Sequence, residues 1–198
     1  MPKLRLETRV ERRRLLIDAA WRCAAVRGFG HLTVDDVCAE AGVSKGAFYG
    51  YFEHKQDLLL ALLDDDSQAL DRELDAITGS SSSGVQRVRR FAQVMLARGD
   101  DAARVQVRAD LWAGLLTEPV VRERLAVATQ QRRELVRGWI EAAVASGELV
   151  SIPANALASI LLALTDGLML HGALDPNGFR WQNIRCAIDV MLAGIAAE

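Results

Sequence analysis

A short stretch of the chain carries polar side chains at a spacing that suits contact with DNA. Lys45, Gly46, Tyr49 and Gly50 fall on one side of a predicted helix, and Tyr51 lies near the edge of that side. Glycine lets a helix approach a surface closely, whereas lysine and tyrosine can reach bases and phosphates. A helix that lies deep in a major groove needs this combination.

This helix is the second of two that a tight turn joins. The first helix has an apolar face at helical spacing, formed by Val34, Val37, Cys38 and Ala41. Thr33 stands at its N-cap position, and Gly42 suits the positive φ that ends a helix. Ser44 can cap the second helix, which we expect to turn inward a stripe of Ala47, Phe48 and Phe52.

Two helices joined by a glycine turn are open to two interpretations. The pattern is typical of a helix-turn-helix that reads DNA, but it also closes many α-helical cores that bind no nucleic acid. Periodicity does not separate these two interpretations, so the residue types on the second helix must decide.

Those residue types resemble the N-terminal domain of TetR-type transcriptional regulators. That domain has a helix that begins at a threonine, a turn that ends in A-G-V-S, a G-x-[FL]-Y-x-[HY]-F recognition helix and a lysine that begins the next helix. Here the matching positions are Thr33, the segment 39–44, the segment 46–52 and Lys55. The resemblance spans residues 9–63, which is about a third of the chain.

The resemblance implies a role at the DNA for each matching position. Lys45 would reach a base edge or a phosphate, Tyr49 and Tyr51 would hold phosphates, and the remaining residues would cap a helix, permit close approach or bind a phosphate. The full predicted set is Thr33, Ser44, Lys45, Gly46, Tyr49, Tyr51 and Lys55. Gly50 departs from the family, where a larger residue is usual, and this leaves open how many bases are read.

Charge is distributed unevenly along the chain. The net charge of the 198 residues is -2, but residues 1–57 hold 10 Lys and Arg against 8 Asp and Glu. The basic residues cluster before residue 15, where we expect a loose arm and the start of a first helix, from Thr8 to Arg27, to lie along phosphates. The alternative is that this basic segment is only solvated.

The rest of the chain is predicted to be helical. Helical spacing covers residues 55–77, 85–97, 102–116, 119–146, 153–171 and a last helix from residue 181, and no strand-like alternation of any length occurs. The serine-rich segment 78–84 is predicted to be a loop within a domain. We therefore expect an all-α fold of about nine helices, with a helix-turn-helix domain at 1–57 and a C-terminal domain at 58–198.

The last two helices predict an interface with a second copy of the chain. Residues 156–170 are apolar nearly all round, and a helix that is apolar on every side must be buried on every side. The resemblance implies a homodimer that pairs these two helices in a four-helix bundle. Two-fold symmetry would then present two recognition helices to a near-palindromic operator of double-stranded DNA. A buried core within one chain is the alternative.

The resemblance also implies a cavity in the C-terminal domain for a small, largely hydrophobic effector that releases the DNA. Bulky or polar groups on inward faces are the predicted lining: Phe91, Met95, Trp112, Leu115, Trp139, Asp166 and His171. Asp64, Asp65 and Asp66 are expected to be largely exposed and not to bind a metal, because adjacent helical residues point about 100° apart. We expect no cofactor and no metal site.

Other classes of function stay open at this point. The sequence has three histidines and no Glu-x-x-His pair, zinc-type spacing, phosphate loop or nucleophile elbow, so no enzyme is predicted. No run of some 18 uncharged apolar residues occurs, and we expect a cytoplasmic location without a membrane span. A homodimeric repressor is the favoured interpretation; the alternatives are a helical adaptor that binds protein and a regulator that needs no ligand.

Overall fold

The computed structural model describes residues 2–28, 30–175 and 177–196, with side chains also left undescribed at 2–7, 102–103 and 111–116. Within these ranges the chain is all-α, as predicted. The nine helices are α1 (Pro2–Arg27), α2 (Val34–Ala41), α3 (Lys45–Tyr49), α4 (Lys55–Thr78), α5 (Gly84–Ala97), α6 (Ala102–Thr117), α7 (Pro119–Ala145), α8 (Ala154–Leu174) and α9 (Trp181–Ala193). A 3-10 turn, Arg98–Asp100, joins α5 to α6.

Two predicted helix boundaries were wrong. Helix α1 begins at Pro2 and not at Thr8, so the basic segment is helical and does not form a loose arm. Proline is tolerated in a first helical turn, and the residues that follow it include good helix formers such as leucine, arginine and glutamate. Helix α8 continues past His171 to Leu174, because helix-compatible residues extend up to the turn that Asp175 begins.

Two hydrophobic cores lie along the chain. The first joins α1, α2, α3 and the start of α4 to Val107 of α6 and Val121 of α7, and the second joins the end of α4 to α5, α7, α8 and α9. Helix α4 contributes Leu58 and Leu62 to the first core and Leu70 and Leu74 to the second. Any movement of α4 therefore acts on both halves of the molecule.

The short helix α3 attaches to the first core through its aromatic residues. The side chains of Phe48 and Phe52 are buried, and their ring centroids lie 5.4 Å apart. Ala47, which we predicted to face inward, is exposed. Consecutive helical residues point about 100° apart, so a helix of this length buries one narrow stripe only, and Phe48 occupies it.

The prediction that the three adjacent aspartates of α4 are largely exposed was wrong at Asp66 and overstated the exposure of the other two. Asp64 and Asp65 are partly exposed, but Asp66 is buried with 8 % of its surface accessible. Asp66 lies on α4 between the segments that fill the two cores, and it faces the arginines of the 3-10 turn and of α6. These ion pairs compensate for part of the loss of hydration on burial.

Candidate nucleic-acid interface and effector cavity

Local hydrogen bonds and one glycine set the angle between α2 and α3. The Thr33 hydroxyl accepts from the Asp36 backbone N–H at 3.1 Å, and the Asp36 carboxylate accepts from the Thr33 backbone N–H at 3.0 Å. Gly42 ends α2 with φ at 66°, the left-handed conformation that favours glycine. Ser44 then caps α3 by accepting from the backbone N–H of Ala47 at 3.2 Å. The two caps, Thr33 and Ser44, and the turn residue Gly42 lie where the sequence predicted them.

Helix α3 presents its polar side chains outward. Tyr49 is 53 % exposed, and its ring packs edge-on against buried Phe48 with centroids 5.5 Å apart. Lys45 lies four residues earlier, so both side chains project from the same face of the helix. Tyr51 is half-buried, and the Arg9 guanidinium lies 5.9 Å from its ring centroid. The N-terminal helix and α3 thus contribute basic and phenolic groups to one surface.

Both lysines of the predicted site have partners within the chain. The Lys45 Nζ lies 2.7 Å from an Asp35 carboxylate oxygen, and this hydrogen bond raises the pKa of Lys45 above its ordinary value. The Lys55 Nζ donates to the carbonyl oxygen of Gly30 at 3.3 Å. Both pairs are solvent-exposed, so a phosphate can compete for either lysine.

The fold does not itself require glycine on the outer side of α3. A Cβ atom built at Gly46 would meet nothing closer than the Ser44 hydroxyl at 3.9 Å. Gly50 has φ at -72°, an ordinary helical value, although a Cβ there would lie 3.3 Å from the carbonyl oxygen of Ala47. The small residues therefore leave room on a surface that the protein's own packing does not use.

A cavity of about 500 Å³ lies among α5, α6, α7 and α8. Its apolar lining includes Met95, Leu125 and Leu162. Its charged lining consists of one carboxylate, Asp166, and four arginines: Arg108, Arg122, Arg132 and Arg133.

Two of the predicted effector-binding residues, Met95 and Asp166, line this cavity. Phe91 and Trp139 are buried in the second core with ring centroids 6.5 Å apart, and they lie outside the described lining. His171 is exposed near the end of α8. The side chains of the remaining two predicted residues, Trp112 and Leu115, lie outside the described part of the chain.

The sequence analysis missed a group of buried charges between the cavity and α4. Asp66 forms ion pairs with Arg98 and, at 3.0 Å, with Arg104, while Arg108 lies 3.8 Å from the same carboxylate. Burial lowers the pKa of the Arg98 guanidinium, and Asp66 opposes that effect. A signal was present, because Arg104 and Arg108 recur at i and i+4 on α6, a helix whose spacing predicts burial.

Helix α7 provides a second connection from the cavity to α4, through Arg132. Arg132 lines the cavity and donates to the Ser67 hydroxyl at 2.6 Å. It also lies 3.2 Å from the Asp71 carboxylate. Arg108 and Arg132 thus touch both the cavity and the helix that enters the first core.

Asp166 is the carboxylate on the cavity wall. Burial raises its pKa above the ordinary value, while the positive charges of Arg108 and Arg132 act in the opposite direction. The Arg108 guanidinium lies 3.7 Å from the Asp166 carboxylate. The same guanidinium therefore stands between a carboxylate of the cavity and a carboxylate of α4.

A larger crevice of about 780 Å³ separates the end of α1 from the C-terminal helices. Its walls include Gly28 and His31 on one side, and Asp110 and Trp181 on the other. Its described lining contains none of the residues that the sequence analysis assigned to DNA or effector binding and whose side chains the structure describes. Across the described residues, no group of three or more His, Cys, Asp or Glu side chains is arranged to hold a metal ion.

Helices α8 and α9 leave apolar side chains without partners in the single chain. Exposed or partly exposed residues of α8 recur every three or four positions: Ala156, Ile160, Ala163, Gly167, Leu170 and Leu174. Val190 and Met191 on α9 are 72 % and 61 % exposed. Helix α8 is long and apolar enough to cross a membrane, but the core helix of a soluble protein also meets that criterion.

Comparisons with known proteins cover both halves of the chain. Residues 16–62 match the family described as "Bacterial regulatory proteins, tetR family", and residues 84–197 match the family described as "BetI-type transcriptional repressor, C-terminal". The HTH-type transcriptional regulator BetI of Cronobacter sakazakii is 29 % identical over 93 % of this chain and 90 % of its own length. The protein of the same name from Brucella anthropi is 38 % identical over 88 residues, which are 44 % of each chain.

A solved structure shares the fold along nearly the whole chain. A protein from Saccharomonospora viridis, crystallised in complex with choline, superposes with a TM-score of 0.85 at 24 % identity and covers 96 % of this chain and 99 % of its own. This likeness shows the fold, and the two family matches assign each half of the chain to a family. The chain therefore belongs to the TetR family of DNA-binding transcriptional regulators, with a C-terminal domain of the BetI type.

Proposed function

We propose that this chain is a cytoplasmic, homodimeric repressor that leaves a near-palindromic operator when a small effector fills the cavity between α5 and α8. The DNA-binding domain comprises residues 1–57 and the effector and dimerisation domain residues 58–198. The observation that carries the proposal is the outer face of α3, where Lys45 and Tyr49 project from a helix that two buried phenylalanines fix to the core.

The arrangement of α3 supports the role that each predicted residue plays at the DNA. Lys45 exchanges its exposed partner Asp35 for a base edge or a phosphate, and Tyr49 and Tyr51 donate hydroxyl groups to phosphates. Lys55 binds a phosphate at the start of α4. Thr33 and Ser44 hold the ends of α2 and α3, and Gly46 permits close approach of the helix.

The apolar stripe of α8 supports the homodimer. The small residues Ala163 and Gly167 lie along it between the larger Ile160 and Leu170, which suits close packing against a second copy of the same helix. A two-fold axis places two α3 helices about one turn of DNA apart, roughly 34 to 36 Å. A monomer would leave this apolar surface in water, at a cost proportional to its area.

The arginines that connect the cavity with α4 support the release mechanism. Arg108 and Arg132 contact Asp66, Ser67 and Asp71 from the cavity side. A ligand that draws these guanidinium groups into the cavity changes the position of α4, and α4 begins beside the recognition helix. The ligand must bind the released form more tightly, because equal affinity for two states shifts neither. The choline complex of the Saccharomonospora viridis protein supports an effector role for this domain.

The test of the proposed function is selection of duplexes from a random library by the purified protein. We expect an enriched near-palindrome whose half-sites are centred about 10 base pairs apart, bound with an affinity that falls steeply as salt rises. Lys45→Ala should weaken binding by about 1–3 kcal/mol. Tyr49→Phe should weaken it less, and Arg137→Ala on the exposed face of α7 serves as the control. Enrichment of no sequence, or an equal loss in the control, would contradict the proposal.

The dimer has a separate test. Ile160→Glu places a charge in the α8 stripe, where Ile160 is 59 % exposed in one chain, so the monomer should stay folded. We expect a monomer in sedimentation and a large loss of affinity for the two-half-site operator, with affinity for a single half-site retained. Val127→Glu, at another exposed apolar position on α7, is the matched control. A dimer of unchanged strength would place the interface elsewhere.

A further inference from the structure

We infer that the cavity among α5, α6, α7 and α8 binds an organic anion, a small molecule with a carboxylate or a comparable acid group on an apolar body. The inference rests on the proposed function, in which this cavity holds the effector. It names the chemical class of that effector.

The charge of the lining is the first observation. The described lining of the cavity contains four arginines and one aspartate, so most of its charged side chains are positive. A guanidinium keeps its charge at any ordinary pH, and a low-dielectric wall strengthens its attraction for an anion. Asp166 and Asp66 both lie beside Arg108, and Asp71 pairs with Arg132. Arg122 and Arg133 form no ion pair among the described residues, so their positive charge is not neutralised within the protein.

Unused hydrogen-bond donors are the second observation. The Arg132 Nε and the Arg133 Nε are buried, and each lacks a hydrogen-bond partner among the described residues. The Arg108 Nη1 also lacks one, although the Asp66 carboxylate lies 3.8 Å from it, beyond hydrogen-bond distance. A buried donor without a partner destabilises a protein, and the hydrogen bonds that guanidinium groups form with carboxylates are among the strongest available. These nitrogens come from two helices, α6 and α7, and a bound acid group would satisfy them from within the cavity.

The apolar part of the wall defines the rest of the ligand. Met95, Leu125, Ala126 and Leu162 come from three helices and carry no charge. A cavity of about 500 Å³ with such a wall accepts a hydrocarbon or aromatic body attached to the acid group. An inorganic anion alone would leave this wall in contact with water.

A cation such as choline does not fit the described lining. Quaternary ammonium groups are held by aromatic faces or by carboxylates. The described wall contains no aromatic side chain and one carboxylate, whose pKa burial raises, so that it holds its proton more readily. The described part of the wall therefore offers a quaternary ammonium group few of the partners that would hold it.

An anion in this cavity would act directly on α4. It competes with Asp66 for Arg108 and with Asp71 for Arg132, at ion-pair distances of 3.8 Å and 3.2 Å. Loss of either contact loosens α4 between the two cores. The acid group is thus the part of the ligand that carries the signal, and a neutral molecule of the same shape would not.

The experiment measures ligand binding to the purified full chain in the absence of DNA, by calorimetry and thermal shift. The probes are straight-chain carboxylates from butanoate to dodecanoate, together with benzoate and phenylacetate. Each is compared with its primary amide and with the trimethylammonium compound of equal body, and choline is included. We expect at least one carboxylate to bind about tenfold or more tightly than its amide.

Matched variants connect this binding with the cavity. Arg108 and Arg132 also hold α4, so Arg133→Gln is the first variant, and it should weaken carboxylate binding about tenfold or more. Arg137→Gln, on the outer side of the same helix α7, should leave binding unchanged. The tightest carboxylate should also release the selected operator from the wild-type chain and fail to release it from the Arg133 variant.

Three results would overturn the inference. One is equal binding of acids and amides, another is tighter binding of the trimethylammonium compounds or choline, and the third is no binding by any acid of the panel. The selection of an operator is measured without these ligands, so a chain that binds its operator and rejects acids keeps the proposed function and loses the inference. A chain that binds acids but selects no operator gives the reverse result.

Discussion

Basic side chains occur in two regions of this molecule and differ there in their exposure to solvent. On α3 and at the start of α4, Lys45 and Lys55 are exposed and hold partners that solvent also reaches. Around the cavity, Arg98, Arg108 and Arg132 are largely buried, and their partners lie on other helices. The exposed groups can exchange a protein partner for DNA without disturbing the fold, whereas the buried ones hold the fold together.

This difference divides the work of a regulator between the two regions. A surface that must bind and release a phosphate backbone uses charges whose pairing inside the protein contributes little. A region that must convert ligand binding into movement uses charges whose pairing is costly to break. Helix α4 runs through both regions. Substitutions at exposed and at buried charges of this one helix can therefore compare the two kinds of ion pair.

The largest expected effect is on the free energy of unfolding of an Asp66→Asn variant. The change leaves Arg98 and Arg104 without their shared carboxylate in a buried site, and we expect a loss of about 3–5 kcal/mol. Asp64→Asn, two residues earlier, removes a partly exposed pair with Arg124 and should cost about 1 kcal/mol or less. Urea denaturation at equal protein concentration measures both.

Equal losses in the two variants would remove the distinction between exposed and buried pairs on α4. A small loss in both would mean that the arginines find other partners when Asp66 is neutral. Either result would weaken the argument that this cluster transmits a signal from the cavity.

The two regions also differ in how much the sequence could predict. The helix-turn-helix is specified by neighbours: the Thr33 and Asp36 capping bonds span three residues, and so does the bond from Ser44 to Ala47. Short-range chemistry of this kind is visible in a single sequence. Helical periodicity likewise predicted the limits of α4 to within one residue of Thr78. These features needed no knowledge of the tertiary contacts.

The cavity could not be predicted in the same way. Asp66 meets Arg98 across 32 residues, and Arg132 meets Asp71 across 61. Nothing in the local sequence of either partner indicates the other, and three consecutive aspartates on a helix read as a solvated face. Large apolar residues were favoured as cavity lining, but Phe91 and Trp139 pack against each other in the core, and arginines take up much of the wall.

Removing either of two serine N-caps, one in each half of the molecule, should have a smaller effect on stability. Ser44 caps α3 and Ser83 caps α5, the latter by accepting from the backbone N–H of Gln86 at 3.4 Å. Replacing either serine by alanine should lower the free energy of unfolding by about 0.5–2 kcal/mol. Only Ser44→Ala should also weaken operator binding, because α3 alone of the two helices belongs to the proposed DNA-binding surface. A comparable loss of DNA affinity in Ser83→Ala would show that the two regions do not act separately.

The smallest expected effect is the pH dependence that Asp166 confers. Burial raises its pKa above the ordinary value of 3.8, against the opposing charges of Arg108 and Arg132. Because the pKa of Asp166 is higher in the folded chain than in the unfolded chain, the folded chain binds the proton more tightly. The protonated carboxyl therefore contributes fully to stability below pH 3.8, and the contribution is lost as the pH rises through the raised pKa.

The stability of the wild-type chain relative to Asp166→Asn should therefore decline as the pH rises through the raised pKa of Asp166. Carboxylate binding should weaken over the same window in the wild type, since ionised Asp166 repels the ligand, and it should change less in the variant. Titrating both chains with the tightest acid at several pH values, all above the pKa of that acid, measures this directly. A variant that matched the wild type at every pH would remove Asp166 from the charge balance of the cavity and leave the arginines alone to select the ligand.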